Sequence, residues 1–258
     1  MQAISRFFMA VAAFAVIVAA WALSSQMGWI SPFLLPPPLT VWESFLKLLA
    51  NGKLISHTGV SLQRVMYGYV LAAALALLIS ALMSSARWFT KLVEPPLEFL
   101  RQIPPLALIP LAILWLGIDE AQKISIIVMA CFFPIYLGFR SGFSQVDPKL
   151  IEVGRMGGLN RLQLLRRIVL PGSLPAIVVG LRLGLGYGWR ALVGAELIAS
   201  SAGLGYMILD AQDMARPDIV LVGIVVIGCL GLLADWGLKK LVHWRFPWMR
   251  QNLELDRG

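Results

Sequence analysis

Long stretches of this chain carry almost no charge, and that constrains the fold more than anything else in it. Phe7 to Leu23 and Ile124 to Phe139 contain no charged residue at all, and Ile219 to Leu238 contains one, Asp235. Similar runs extend over about Ser61–Met83, Leu97–Ile118 and Leu174–Ala199. A helix rising 1.5 Å per residue needs about 20 residues to cross a hydrocarbon layer of roughly 30 Å. Inside lipid the backbone must satisfy its own hydrogen bonds, so such runs are helices unless the chain builds a closed barrel. Hydrophobic residues make up 59% of the 258, against roughly 45–50% in a soluble domain. The expectation is one all-α, polytopic membrane domain over residues 1–258, with about six transmembrane helices. The first run also resembles a signal peptide, since Ala20-Trp21-Ala22 has small residues at both flanks. The Trp inside that site and the length of the run favour a retained helix.

The segments between the runs orient the chain. Arg6, Arg87, Lys91, Arg140, Lys149, Arg155, Arg161, Arg166, Arg167, Lys239, Lys240, Arg245, Arg250 and Arg257 fall on one side, and they are most of the 22 Lys and Arg. The other side holds Lys47, Lys53, Lys123 and Arg216. An excess of Lys and Arg marks cytoplasmic loops, so both termini of a multi-pass protein are expected in the cytoplasm. The same argument accounts for the net charge of +8 without nucleic acid as a partner. Ser31–Thr40, with four prolines, cannot be helical throughout, whereas Val41–Ala50 reads as an amphipathic helix on the outer surface. Ser84–Lys91 reads as a short inner loop. Pro104, Pro105 and Pro110 are expected to kink the third span, and Pro134 lies inside the fourth. Cys131 and Cys229 both sit in apolar runs and read as buried thiols, and His57 and His243 fit no metal-ligand spacing. No Walker lysine loop, HExxH or GxSxG occurs, so no catalytic group and no bound cofactor or metal is expected of this chain.

One long polar segment stands between two apolar ones, Asp147–Pro171. Its apolar residues recur at helical spacing and are interrupted at Gly157-Gly158, which predicts two short helices joined by a tight turn, with positive φ at Gly158. Pro171 marks a break before the next apolar helix. In that next span Gly180, Gly184 and Gly188 recur every four residues, a stripe suited to close helix packing. Arg182, Trp189 and Glu196 recur every seven and lie within about 40° of one line on the helix. Arg190 is the more central charge. A charge in a span normally faces protein or water and finds a partner. These four residues are therefore the candidates for a substrate pathway, the competing role being structural pairing with neighbouring spans. Arg64 and Arg101 are further candidates that could instead reach the interface from a span end.

The polar segment resembles the permease signature of binding-protein-dependent ABC importers: Glu-Ala-Ala, three residues, Gly, nine residues, Ile, one residue, Leu-Pro. Glu152, Gly158, Ile168 and Leu170-Pro171 fill those positions at matching spacing, with Val153 and Gly154 where the alanines stand. The stretches RQIPPLALIPLAILWLGIDEAQKI, FFPIYLGF, VLPGSLPAIVVGLRLGLGYGW and AELIASSAGLGYMI extend the likeness over most of the chain. They are similar to permeases for taurine, aliphatic sulfonates and nitrate, most of all to the aliphatic sulfonate permeases. The resemblance implies a type I importer fold and two permease copies paired about a central pathway. It also implies a cytoplasmic ATPase dimer that carries ATP and Mg, and a periplasmic or surface substrate-binding protein. Residues 147–171 would be the ATPase-coupling loop, with Glu152, Gly154, Gly157, Gly158, Leu159, Arg161, Ile168, Leu170 and Pro171 as its working positions. The function implied is inward movement of a small organic anion by alternating access, an aliphatic sulfonate or taurine foremost. A permease for nitrate or another small nutrient, an ion-coupled secondary transporter and a membrane scaffold are the competing readings. The absence of an internal repeat weighs against a secondary transporter built from inverted halves.

Overall fold

Residues 2–249 are described by the computed structural model, with side chains of the first helix described at Met9, Ala12, Ala13 and from Ala15 onward. Arg250 and Arg257, and the side chain of Arg6, lie outside the described residues. Eleven α-helices follow one another in chain order among the described residues, with no strand. They are α1 (Gln2–Gln26), α2 (Pro38–Ala50), α3 (Lys53–Ser85), α4 (Arg87–Arg101), α5 (Ile109–Leu116), α6 (Glu120–Ser144), α7 (Pro148–Met156), α8 (Arg161–Leu164), α9 (Leu170–Ile198), α10 (Leu204–Asp213) and α11 (Pro217–Arg245). Four stretches are long and apolar enough to cross a membrane: α3, α6, Arg161–Ile198 and α11. A fifth is counted if α4 and Pro105–Leu116 form one broken span. The first expected span falls within α1.

The chain forms two compact bodies. One takes residues 1–60 and 201–229, the other residues 61–200 and 230–258. In the first, Pro37 and Pro38 open α2, where the missing N–H groups of proline cost nothing. The indole Nε1 of Trp21 donates to Pro36 O at 3.0 Å. Asp218 accepts from Arg216 and from the buried Ser44 hydroxyl, and Gly203 N donates to His57 Nδ1 at 3.1 Å.

The second body is built on α6 against α9. A Cβ added at Gly180 would stand 2.7 Å from the Gly138 Cα and 2.8 Å from the Pro134 carbonyl oxygen, and one at Gly184 would stand 2.5 Å from Ile135. Gly188 faces Cys131 in the same way. The glycine stripe thus lets two backbones meet where any side chain would hold them apart. Ile109 and Ala112 of α5 pack with Ile126, Ala130, Ala191 and Ala195 at one end of this pair. At the other end, Met249 in a short 3₁₀ turn is buried with Val178 and Val242, which folds the stretch after α11 back onto α9.

Four expectations need correction. The inner loop at Ser84–Lys91 is only a turn at Ala86: α4 begins at Arg87 and runs through Pro95 and Pro96 to Arg101. The third span is broken outright, bending by 90° between α4 and the 105–116 helical stretch. Consecutive Pro104 and Pro105 remove two adjacent backbone donors, and the chain restarts as a 3₁₀ turn at Pro105–Leu108. Pro171, expected to mark a break, does not interrupt the chain. A π-type turn at Leu165–Val169 leads straight into α9, in whose first turn Pro171 needs no hydrogen bond of its own. Cys229 is exposed rather than buried, while Cys131 is buried.

Candidate functional site

The polar segment between α6 and α9 folds as two short helices with both ends secured. The Asp147 carboxylate accepts from Lys149 N at 2.9 Å, capping α7. At its other end Gly157 closes α7 and Gly158 takes φ +77°, a left-handed conformation that L side chains resist. Leu159 N then donates back to Gly154 O at 3.0 Å. Asn160 and Gln163 form a reciprocal capping box at α8, both bonds 2.9 Å long. Gly154 is buried, and a Cβ there would stand 2.6 Å from both Leu164 and Ile168. The two alanine positions of the signature now separate. Position 154 needs a small residue because α8 and the π turn press on it, whereas Val153 is largely exposed and meets no such demand.

Between this helix pair and the start of α9 lies a surface depression of about 740 Å³, lined by Leu150, Leu159, Arg167, Ile168, Pro171 and Trp248 among others. Around it Met156 is 89% exposed, and Leu150, Val153 and Leu162 are also exposed. Glu152, Arg155, Arg161 and Arg166 are exposed with them. Of the nine residues expected in the coupling element, seven lie on α7, α8, the turn between them and the π turn, and Leu170 and Pro171 open α9.

The four residues expected along a pathway do not converge. Arg182 is paired with Asp235 of α11 at 3.0 Å, and Lys239 shares that carboxylate at 2.7 Å. Trp189 is buried, its indole against Gly231. Glu196 has no exposed surface; Arg64 donates to it at 2.8 Å and Ser61 at 2.9 Å. Arg64 reaches Glu120 as well, at 2.5 Å, and Lys123 approaches Glu120 at 3.7 Å. The result is a four-charge cluster tying α3, α6 and α9 together. Arg190 alone of the four is exposed, with its guanidinium carbon 5.9 Å from the Tyr187 ring centre.

Along the α6–α9 pair runs an open groove of about 750 Å³. Phe133, Leu137, Leu183 and Tyr187 line it, Ser141 and Gln145 stand on α6 and the residue after it, and Arg101 enters from the end of α4. Glu120 did not stand out in the sequence, and Asp235, the one charge in its run, carried no sign of its partner, although Glu196 and Arg182 both demanded counterions. The remaining acidic residues at span ends were the signal that could have found them. Among the described residues no group of three or more His, Cys, Asp or Glu could hold a metal.

An all-helical body with a capped helix pair projecting between two spans is the architecture of an ABC importer membrane subunit. The chain belongs to the family of binding-protein-dependent transport system inner membrane components, which it matches over residues 68–245. It is 39% identical over 235 residues to the aliphatic sulfonates transport permease protein SsuC of Bacillus subtilis (strain 168), covering 90% of this chain and 85% of the relative. It is 36% identical over 239 residues to the taurine transport system permease protein TauC of Escherichia coli (strain K12), covering 91% and 87%. Among solved structures, an amino acid ABC transporter crystallised with histidines superposes with a TM-score of 0.62 over 78% of this chain and 96% of that one. At 17% identity that likeness speaks for the fold alone.

Proposed function

We propose that this chain is the membrane-spanning half of an importer for small organic anions, an aliphatic sulfonate or taurine foremost. In this reading two copies pair about a central pathway in a bacterial inner membrane, with both termini cytoplasmic. A substrate-binding protein delivers the anion from outside. A cytoplasmic ATPase dimer, holding ATP and Mg, docks on α7–α8 and drives alternating access. The relatives' names support the substrate class. The observation that carries the coupling role is the α7–α8 projection, exposed, partly apolar and basic. Its caps and the buried Gly154 make it stiff enough to pass a push directly into α6 and α9. Glu152, Gly154, Gly157, Gly158, Leu159, Arg161, Ile168, Leu170 and Pro171 are its working residues. Of the α9 residues, Arg190 is the one free to meet the pathway, while Arg182, Trp189 and Glu196 hold α9 among its neighbours.

The test joins growth to coupling. A strain lacking this chain is complemented and grown on ethanesulfonate or taurine as sole sulfur source, and on nitrate as sole nitrogen source. Restored growth on the sulfur compounds alone supports the reading; restored growth on nitrate alone overturns the substrate class. Gly158→Val forces a β-branched residue to positive φ, at about 1–2 kcal/mol of local strain. It should leave the protein in the membrane and abolish growth on sulfonate. Normal growth of Gly158→Val, with the ATPase still co-purifying, would sink the coupling assignment.

A further inference from the structure

Three arginines along the helices of the second body face a carboxylate: Arg64 with Glu120 and Glu196, Arg140 with Glu94, and Arg182 with Asp235. Arg101 does not. Among the described residues it makes neither an ion pair nor a hydrogen bond, although it ends α4 beside the 90° break and lines the groove. Glu94 and Glu98 border a small adjoining cavity of about 60 Å³ with it, but Glu94 is bonded to Arg140 and Glu98 forms no pair with Arg101. The groove that Arg101 lines is largely apolar, with Phe133, Leu137 and Leu183 among its walls and Ser141, Gln145 and Tyr187 adding polar atoms. Its volume lies in the range of small-molecule sites. Arg101 is exposed at the end of α4, where it is open to a ligand in the groove, and the planar guanidinium fork matches the oxygens of an oxyanion.

We propose that this groove is the anion site of the translocation path, with Arg101 holding the oxyanion head and the α6–α9 walls holding an alkyl tail. It rests on the importer reading above and deepens it, because selectivity for anions is assigned to the end of α4 rather than to α9. Arg101 is then a specificity-determining residue, and Leu183 and Leu137 set the length of tail accepted. The other candidate occupant of the groove is a second copy of this chain.

The experiment uses the full transporter, permease with its ATPase and binding protein, in proteoliposomes, with ethanesulfonate and octanesulfonate as probes. Arg101→Gln should lower the maximal uptake rate by about tenfold or more, the scale of one charge-assisted hydrogen bond. Half-saturation, set by the binding protein, should stay constant. Arg101→Lys should recover part of the rate, since charge survives without the fork. Glu98→Gln should transport like wild type. In a Cys229→Ser background, Leu183→Cys should be shielded from a maleimide by octanesulfonate, and the shielding should vanish with Arg101→Gln. Wild-type rates in a fully assembled Arg101→Gln complex would overturn the site. So would a Glu98→Gln loss equal to that of Arg101→Gln, which would make the two a structural pair. A drop in the amount of assembled dimer that accounts for the whole loss would give the groove to the second copy. No sulfonate uptake by the wild-type complex is a separate result, and would overturn the substrate class itself.

Discussion

A carboxylate with no exposed surface survives only where its partners replace water, and Glu196 has Arg64 and Ser61 among its partners. Removing one partner of such a buried pair costs about 3–5 kcal/mol, whereas replacing both with apolar groups costs far less. Glu196→Ala should therefore destabilise the purified protein by an amount in that range, seen as a lower thermal midpoint, and Arg64→Met with Glu196→Met should be less damaging than the sum of the single changes. A strictly additive double-mutant cycle would remove the pairing from the account. The positive φ at Gly158 was legible in the sequence, because a glycine pair between two helical patterns has few other uses. That Glu196 and Arg182 needed partners was legible too. Which partners was not: Arg64 lies 132 positions from Glu196 and Asp235 lies 53 from Arg182. Periodicity names the face of a helix but not its neighbour.

The α6–α9 pair depends on the absence of side chains at its crossing. Gly180→Val would press on the Gly138 backbone and the Pro134 carbonyl, which have no room to yield. A loss of about 1–3 kcal/mol or more is expected, seen as a lower midpoint and poorer yield in detergent. Gly186 meets nothing within 4 Å, so Gly186→Ala should be neutral or slightly stabilising; equal damage from both would deny the stripe its packing role. This stripe was visible in the sequence as a four-residue repeat. The polar face of α4 was visible only in retrospect: Arg87, Lys91, Glu94, Glu98 and Arg101 recur at helical spacing. An apolar window over Leu97–Ile118 absorbed the last of them, and the prolines at 104 and 105 read as a kink in one span rather than as its division in two. A hydropathy window measures how much apolar sequence there is, not whether the backbone continues through it.

In the second body the charges divide by end. Arg140, Arg182, Lys239 and the basic α7–α8 projection lie toward one, and the Arg64–Glu120–Glu196–Lys123 cluster lies toward the other. Residue 119 and residue 161 should accordingly label from opposite sides. With an impermeant thiol reagent on intact cells, Asp119→Cys should react and Arg161→Cys should not, both in a Cys229→Ser background; the reverse pattern would invert the topology. The cluster has one more consequence. Its two cations and two carboxylates sum to no formal charge. A membrane voltage does work of about 2.3 kcal/mol per elementary charge per 100 mV on anything it moves, and on these four groups travelling together it does none. Those four groups are electrically silent together, so whatever dependence on membrane voltage the import cycle shows belongs to the cargo and to charges outside the cluster, Arg101 and Arg190 among them.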